Sequence, residues 1–388
     1  MAGVDGSGAA AVLPVALAHD YATQRGGAER VALVMAQAFP GAPMYTSLYD
    51  AAGTFPEFAA LDMRTSHLDR VGVLRRHHRL ALPLLAAAVS ATRIEAEVLL
   101  ASSTGWAHGF STDARKIVYC HAPARWLYQG ERYLGPTSGG TGSAGGAMRR
   151  RLAAGALGLL APSLRSWDRR AAVSAHRYLA NSTVTARAVR EVYGIEAEVV
   201  PPPPAMLPVG PRTPVDGVEP GYLLCVARLL PYKNVDVVID SVLRRSGVRL
   251  VVVGDGPERA RLERRVADEP RVRLVGRVDD ARLRWLYEHS AALVAASYED
   301  YGLSPLEAAA FGRPSVVLRD GGYLDTVTEG VTGEFFDAPD AELVAAATDR
   351  ALARAWDAAA LRAHAEHFGT ERFVARLQQI VQAEMSYA

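Results

Sequence analysis

Residues 291–314 read AALVAASYEDYGLSPLEAAAFGRP, and this stretch decides the fold. Its first seven residues form an apolar run, which is typical of a strand buried on both faces of a parallel sheet. The polar segment YEDYG follows, and SPLE then begins a helix with Ser304 as the N-cap, Pro305 at the first helical position and Glu307 completing a capping box. The stretch therefore predicts a strand, a loop at its carboxyl end and a helix, which is the repeating unit of an α/β sheet.

The same alternation of apolar runs and helical patterns continues along the whole chain. In the first half, the predicted strands are LPVALAHD, EVLLASS, KIVYC and RYLANS, and the predicted helices are GGAERVALVMAQAF and STVTARAVREVYG. In the second half, the predicted strands are GYLLCVA, RLVVVGDG, VRLVG, AALVAAS and PSVVL, with helices from about Asn234, Pro257, Asp279 and Ser304. The pattern predicts two parallel α/β sheets.

A proline-rich segment, residues 199–221, separates the two halves. Its prolines cannot continue a helix or a central strand, and we therefore predict a first domain over 1–204 and a second over 218–370. Residues 371–388 carry an apolar stripe at helical spacing, which must pack on another surface. The stripe consists of Phe373, Val374, Leu377, Ile380 and Val381.

Composition limits the class of protein. The chain has 388 residues, 49% of them hydrophobic and 22% charged, and a formal net charge of +1. These values are typical of a globular protein of two domains and argue against a nucleic-acid partner. Cys120 and Cys225 lie in predicted strands of opposite halves, which favours buried free thiols over a disulfide. The N-terminus lacks the basic start of a signal peptide, and no apolar stretch reaches the roughly 18 residues that span a bilayer, so we predict a cytoplasmic protein.

Charged residues follow two of the predicted strands in the second half. Glu299 and Asp300 stand together at a strand end, where a sugar ligand could use a carboxylate as a charged hydrogen-bond acceptor, although an exposed loop acid is an alternative. Arg228 and Lys233 follow another strand in ARLLPYKN, and lysine is rare here, since Lys233 and Lys116 are the only lysines among 43 basic residues. A cationic pair near a helix start suits a phosphate, and a surface pair is the alternative.

Two common nucleotide-binding motifs are absent. VVVGDGPER and QRGGAER lack the G-x-G-x-x-G spacing of a dinucleotide-binding turn, and no G-x-x-x-x-G-K-[ST] phosphate loop occurs. NAD-dependent redox chemistry and P-loop chemistry are therefore disfavoured.

Taken together, ARLLPYKN, VVGDGP and the E-x7-E stretch from Glu299 to Glu307 resemble the donor-binding half of family 4 retaining glycosyltransferases. HDYATQRGGAERV, SSTGWAHG, KIVYCHAPARWLY, SWDRRAA and YLANS resemble the first domain of bacterial members of that family that make polysaccharides. The resemblance implies an α/β fold of the GT-B type, in which two Rossmann-like domains with parallel sheets face a central cleft. It also implies that the C-terminal helix, residues 371–388, packs back on the first domain.

The resemblance implies roles for individual donor-side residues. Glu299 would bind hydroxyls of the donor sugar, aided by backbone N–H groups from Asp300, Tyr301, Gly302 and Leu303. Glu307 would bind the nucleotide ribose, and Arg228 and Lys233 would bind the diphosphate and stabilise the charge that develops on it.

The first domain would contribute three residues. His121 would lie against the donor sugar, although a histidine after an apolar strand is often a hydrogen-bonded core residue. Gly26 and Gly27 would bring a helix N-terminus close to the diphosphate, or would only begin a helix. The implied catalytic set is His121, Glu299, Arg228 and Lys233.

The implied reaction is hexose transfer with retention from a nucleoside-diphosphate sugar, with GDP-mannose favoured as the donor. No metal or other cofactor is expected, since the basic pair would replace a divalent cation. The acceptor would be a polysaccharide, a lipid-linked glycan or a small molecule. A hydrolase using Glu299 and Glu307 is disfavoured because both stand beside a phosphate site. A non-catalytic sugar-nucleotide-binding protein and a GT-B-fold sugar-nucleotide epimerase remain alternatives.

Two segments of the first half have unusual composition. Residues 68–88, LDRVGVLRRHHRLALPLLAAA, combine Arg70, Arg75, Arg76 and Arg79 with an apolar continuation. We hypothesise that this segment makes peripheral contact with the anionic inner face of the cell membrane. The alternative is a solvated charged helix beside a core helix. The glycine-rich stretch 134–150 predicts a mobile loop that could act as a lid.

Overall fold

A computed structural model describes residues 13–76, 78–128 and 160–387 of the protein. The glycine-rich stretch 134–150 lies outside these residues. The strands are β1 Leu13–His19, β2 Met44–Thr46, β3 Met63–Thr65, β4 Arg93–Ile94, β5 Ala96–Ser103, β6 Ser111–Thr112, β7 Arg115–Cys120, β8 Arg177–Ala180, β9 Glu198–Val199, β10 Tyr222–Val226, β11 Leu250–Val253, β12 Val272–Gly276, β13 Ser290–Ala295, β14 Ser315–Leu318 and β15 Gly333–Phe336.

Helices alternate with these strands along most of the chain. They are α1 Gly27–Ala38, α2 Gly72–Arg76, α3 His78–Ala91, α4 Arg125–Tyr128, α5 160–173, α6 Thr183–Tyr193, α7 Val235–Leu243, α8 Arg259–Arg265, α9 Asp280–His289, α10 Leu303–Ala310, α11 Tyr323–Thr326, α12 Ala341–Ala353, α13 Ala358–His367 and α14 Thr370–Met385. Short 3-10 helices cover Pro56–Ala60, His67–Arg70, Ala107–Gly109 and Pro231–Lys233.

The strands form two separate parallel sheets. The first sheet has the order β3-β2-β1-β5-β7-β8-β9, and the second has the order β12-β11-β10-β13-β14-β15. β4 and β6 pair in a small sheet of their own. Apolar clusters cover both faces of each large sheet, which explains why the central strands are apolar without alternation. The predicted fold class, two Rossmann-like α/β units, is confirmed.

Between the two sheets, residues 200–221 contain no strand or helix. This segment is not detached from the second sheet, since Met206, Val215 and Val218 pack against its apolar face. The proline-rich segment therefore joins the two sheets as a well-packed connection.

The C-terminal helix α14 follows the second sheet in sequence but packs on the first. Phe373, Leu377, Ile380 and Val381 are buried in one cluster with residues of α1 and β5. Glu384, near the end of α14, forms an ion pair with Arg115 of β7. Four of the five residues of the predicted apolar stripe thus pack on the first sheet, and Val374 is only half-buried.

Both cysteines are buried and free, as predicted, and burial raises the pKa of each thiol. Among the helices in the described ranges, none is both long and apolar enough to cross a membrane.

Candidate active site

The order of strands in each sheet predicts where a ligand binds. In the first sheet the direction of progression reverses between β1 and β5, and in the second it reverses between β10 and β13. Open parallel sheets bind ligands at the carboxyl ends of strands that flank such a reversal. The segments that leave these ends carry His19 and Asp20, the loop 104–109, Arg228 and Lys233, and Glu299.

Lys233 and Glu299 meet at the switch point of the second sheet. The Lys233 ammonium forms an ion pair with Oε1 of Glu299, and Ser297 Oγ donates to the same oxygen at 2.6 Å. The side chains of Lys233 and Glu299 are 14% and 22% exposed, so both reach solvent. Burial opposes ionisation of Glu299, but Lys233, Ser297 and the nearby Arg125 together lower its pKa. The pair is therefore a charged, accessible group that a ligand could separate.

The 3-10 turn that carries Lys233 is held against the carboxyl end of β13. Asn234 adopts a left-handed conformation with φ of 50°, and its side-chain amide donates to the carbonyl of Ala296 at 2.9 Å. Arg228, on the same connection, is exposed, and its guanidinium makes no hydrogen bond or ion pair within the part of the chain that the structure describes. Its guanidinium is thus available for an anion beside the Lys233 site.

Two helix N-termini approach each other across the cleft. α1 begins at Gly27 after the N-cap Gly26, and α10 begins at Leu303 after the N-cap Gly302. A Cβ atom on Gly27 would lie 3.2 Å from Cδ1 of Leu303, so the absence of a side chain allows the close approach. Because N-termini carry unpaired N–H groups and a partial positive charge, their convergence favours an anion between the sheets.

The prediction of a capping box at the start of α10 is wrong. The helix begins one residue before Ser304, and Gly302, with φ of 82°, is the N-cap residue, with no side-chain cap. Glu307 points elsewhere: Oε1 accepts from the backbone N–H of Met206 at 3.2 Å, and Oε2 accepts from the Tyr287 hydroxyl at 2.6 Å. Burial raises the pKa of Glu307, and these bonds only partly offset the effect. Glu307 therefore anchors the connection between the sheets to the second sheet.

His121 lies at the carboxyl end of β7 and is 7% exposed. Its Nε2 shares a 2.9 Å hydrogen bond with Ser102 Oγ, which in turn lies 3.0 Å from Nδ1 of His19. Burial, followed by the charges of His19 and Arg125, lowers the pKa of His121 to about 3. The imidazole is thus neutral at physiological pH, and His121 combines a hydrogen-bonded core position with a small exposed surface.

The remaining residues of the predicted donor loop have partners in the protein. Asp300 forms an ion pair with Arg125 of α4, and the buried Tyr301 donates its hydroxyl to the carbonyl of Pro202 at 2.9 Å. The loop is therefore held from the side of the first sheet as well.

Glu29 is a residue that sequence reasoning missed. It lies in the first turn of α1, is 2% exposed, and folds back so that Oε2 would be 2.6 Å from a Cβ atom on Gly26. Burial raises its pKa to about 7, a bond from Gln24 and the charge of Arg228 oppose the rise, and Asp20 adds to it. The motif GGAER contained the residue, but no local pattern indicated that its carboxyl is enclosed.

We predict that Glu29 makes stability depend on pH. Because its folded pKa of about 7 exceeds the unfolded value near 4.5, its contribution is complete below pH 4.5 and is lost as pH rises through 7. A Glu29→Gln variant should match the wild type in urea unfolding at pH 4.0, below the unfolded pKa. At pH 8.5 it should be more stable by up to about 3 kcal/mol.

The exposed Glu191→Gln of α6 is the matched control for this prediction, and it should show no such difference between the two pH values. Equal stability of Glu29→Gln and the wild type at pH 8.5 would contradict an enclosed, proton-binding Glu29.

In the described ranges, no group of three or more His, Cys, Asp and Glu side chains is arranged to hold a metal ion.

The second sheet and its helices match a known family. Residues 215–370 match the family described as Glycosyl transferases group 1. The match contains Arg228, Lys233, Glu299 and Glu307.

Curated relatives match part of the chain. A glycogen synthase of Pseudomonas aeruginosa is 34% identical over 145 residues, which are 35% of this chain and 28% of the relative. A D-inositol 3-phosphate glycosyltransferase of Mycobacterium marinum is 37% identical over 162 residues, which are 37% of this chain and 34% of the relative. The chain thus spans about a third of the length of the curated relatives it matches.

Solved structures match over nearly the whole chain. Anabaena HepE in complex with UDP and glucose has a TM-score of 0.66 and 16% identity, covering 95% of this chain and 99% of HepE. Sucrose-phosphate synthase of Thermosynechococcus elongatus has a TM-score of 0.66 and 18% identity, covering 97% and 100%. At such identities the likeness establishes the fold alone, and that fold is the predicted GT-B arrangement.

Proposed function

We propose that this protein is a retaining hexosyltransferase that uses a nucleoside-diphosphate sugar as the donor. The observation that carries the proposal is the Lys233–Glu299 pair, which stands at the switch point of the second sheet beside two converging helix N-termini. A cation and N–H groups suit the diphosphate, and a carboxylate suits the sugar hydroxyls. The second domain, 218–370, would bind the donor, and the first, 1–204, the acceptor.

In the proposed reaction, the donor occupies the cleft and separates Lys233 from Glu299. Lys233 and Arg228 bind the diphosphate, and Glu299 accepts hydrogen bonds from the sugar. The bond from the anomeric carbon to the diphosphate oxygen breaks, and a bond from that carbon to the acceptor oxygen forms on the same face. The departing phosphate oxygen takes the acceptor proton, so the neutral His121 need not donate or accept one. Lys233 and Arg228 stabilise the leaving charge without a divalent cation.

We propose a guanosine nucleotide with mannose as the preferred donor, on the resemblance of the RGGAER and YCHAP segments. UDP and glucose bound to HepE make the uridine nucleotide the main competitor. Calorimetric titration with GDP, UDP and ADP, without added metal, tests the proposal. GDP should bind at least tenfold more tightly than UDP and ADP. If UDP binds most tightly, the donor is a uridine nucleotide and not the proposed guanosine nucleotide. If none of the three nucleotides binds, the proposed donor site is wrong.

Product analysis distinguishes the alternatives. A transferase releases nucleoside diphosphate and forms an α-linked product from an α-linked donor, which NMR coupling constants report. An epimerase would return an altered sugar nucleotide, and a binding protein would return the donor unchanged. An inverted product would contradict retention.

We further propose that the acceptor is lipid-linked or near a membrane. Val71, Val73 and Leu84, in and around α2 and α3, are each about half exposed, and Arg70 and Arg75 beside them are exposed. Apolar and basic side chains on one surface suit an anionic bilayer. The side chains of Arg76 and Arg79 lie outside the described residues.

Flotation with phosphatidylglycerol vesicles at low salt tests the membrane proposal. The wild type should float, and an Arg70→Glu/Arg75→Glu variant should not. The control variant Arg264→Glu, on the exposed face of α8, should float like the wild type. Absence of wild-type flotation would overturn the proposal.

A further inference from the structure

The loop that carries Glu299 is fastened to the first sheet by contacts that the proposed reaction does not use. Asp300 forms an ion pair with Arg125, the first residue of α4. The Asp300 carbonyl also accepts a bond from Ser182 Oγ. Asp300 is 8% exposed and Ser182 is buried, whereas the Arg125 side chain is 36% exposed, so the ion pair reaches solvent only from the Arg125 side.

Asp325, on α11, makes a second connection. Its carboxylate accepts from the backbone N–H of Thr183 and from the Thr183 hydroxyl, each at 2.7 Å. Thr183 is the first residue of α6, whose early N–H groups have no partner within the helix. A carboxylate from the second sheet's side thus caps a helix on the first sheet's side.

The two connections act on one rigid segment. Glu299 accepts a 2.7 Å hydrogen bond at its carbonyl from Gly322, directly before α11. A Cβ atom on Gly322 would lie 2.3 Å from Cα of Tyr301, so the loop and α11 are in close backbone contact. Displacing Asp325 would therefore displace the backbone of Glu299.

Arg125 stands between the two halves of the proposed sugar site. Its guanidinium pairs with Asp300, the residue after Glu299, and its charge lowers the pKa of both Glu299 and His121. His121 lies four residues before Arg125 on the first sheet's side. The ion pair to Asp300 consequently spans the cleft where the sugar is proposed to bind.

We propose that Arg125 is a positioning residue: its ion pair with Asp300, together with the Asp325 cap on α6, docks the Glu299 loop so that Glu299 and His121 face the same substrate. This inference rests on the proposed function. It assigns the Arg125 guanidinium to Asp300 and not to the donor diphosphate. Arg125 thereby acts on turnover through the loop, while nucleotide binding depends on Lys233 and Arg228.

A charge swap tests the proposal. Arg125→Asp and Asp300→Arg should each lower kcat roughly 30-fold or more, since like charges then face each other across the cleft. The Arg125→Asp/Asp300→Arg double variant should return to within about threefold of the wild type, because it restores the pair. Affinity for free nucleoside diphosphate should change less than about threefold in all three. Arg93→Asp, which breaks an exposed ion pair with Asp113, is the matched control.

A double variant as slow as Arg125→Asp would overturn the proposal, because Arg125 would then act on the substrate itself. Small-angle scattering gives a readout that needs no turnover. Arg125→Asp and Asp325→Ala should have a larger radius of gyration than the wild type, and the swap should restore it. If the wild type transfers no sugar but these radii behave as expected, the proposed function fails and the docking stands. Unchanged radii would overturn the docking even in an active enzyme.

Discussion

A Glu299→Gln variant is expected to lose about 10²- to 10³-fold in kcat/KM for glycosyl transfer, the range seen when one charged or polar group is removed from a transition-state site. The amide keeps the size of the side chain but removes the charge that accepts bonds from sugar hydroxyls. It also leaves the Lys233 ammonium without its partner, which favours binding of free diphosphate. We therefore expect weaker binding of the sugar nucleotide and equal or tighter binding of the nucleoside diphosphate.

Calorimetric titration with the sugar nucleotide and with the nucleoside diphosphate measures the two affinities. Initial rates of nucleoside diphosphate release measure the loss of activity. Glu263→Gln, on an exposed carboxylate of α8 paired with Arg259, is the control and should behave like the wild type. A loss of affinity that is the same for the sugar nucleotide and the nucleoside diphosphate would contradict a sugar-binding role for Glu299.

Lys233→Met should reduce kcat/KM by about 10³-fold, because methionine fills a similar volume but cannot stabilise the charge on the leaving diphosphate. Unlike the first variant, it should also weaken binding of the free nucleoside diphosphate at least tenfold. Removing the ammonium also takes away the main influence that lowers the pKa of Glu299. The Glu299→Gln/Lys233→Met double variant should therefore lose little more activity than either single variant, since the two side chains act as a unit.

The other lysine of the chain provides the matched control for Lys233→Met. Lys116 is 5% exposed and donates to the carbonyl of His108 at 2.9 Å and to Ser174 Oγ at 3.0 Å. Lys116→Met should lower the unfolding free energy, because it leaves a buried carbonyl unpaired, without changing nucleotide affinity. Wild-type nucleotide affinity in Lys233→Met would contradict the assigned diphosphate site.

The central sheet strands were predictable because each is an apolar run between polar turns, which is a local property of the sequence. The strands β2, β3, β4, β6, β9 and β15 were not predicted, since most are runs of two or three residues, which carry too little pattern. The position of Lys233 and Glu299 at one edge of the second sheet followed from the same logic, because each residue comes soon after one of two adjacent strands. Their ion pair was not predicted.

Partners that are distant in sequence could not be predicted. Glu307 looked like a capping residue, yet its partners are Met206 and Tyr287, which the sheet packing brings to it. Gly302 was a usable signal, since a glycine before an apolar run can begin a helix in a left-handed conformation. The contacts of Arg125 and Asp325 depend on how the two sheets are docked, and no local pattern encodes that arrangement.

Catalysis by the Lys233 and Glu299 pair is tested by release of nucleoside diphosphate from GDP-, UDP- and ADP-sugars without added metal. The wild type and Lys233→Met are compared side by side with a panel of alcohol acceptors. We predict release from one donor class by the wild type and at least about a hundredfold slower release by Lys233→Met. Equal release by both proteins, or transfer that proceeds only with a divalent cation, would contradict catalysis by the Lys233 and Glu299 pair.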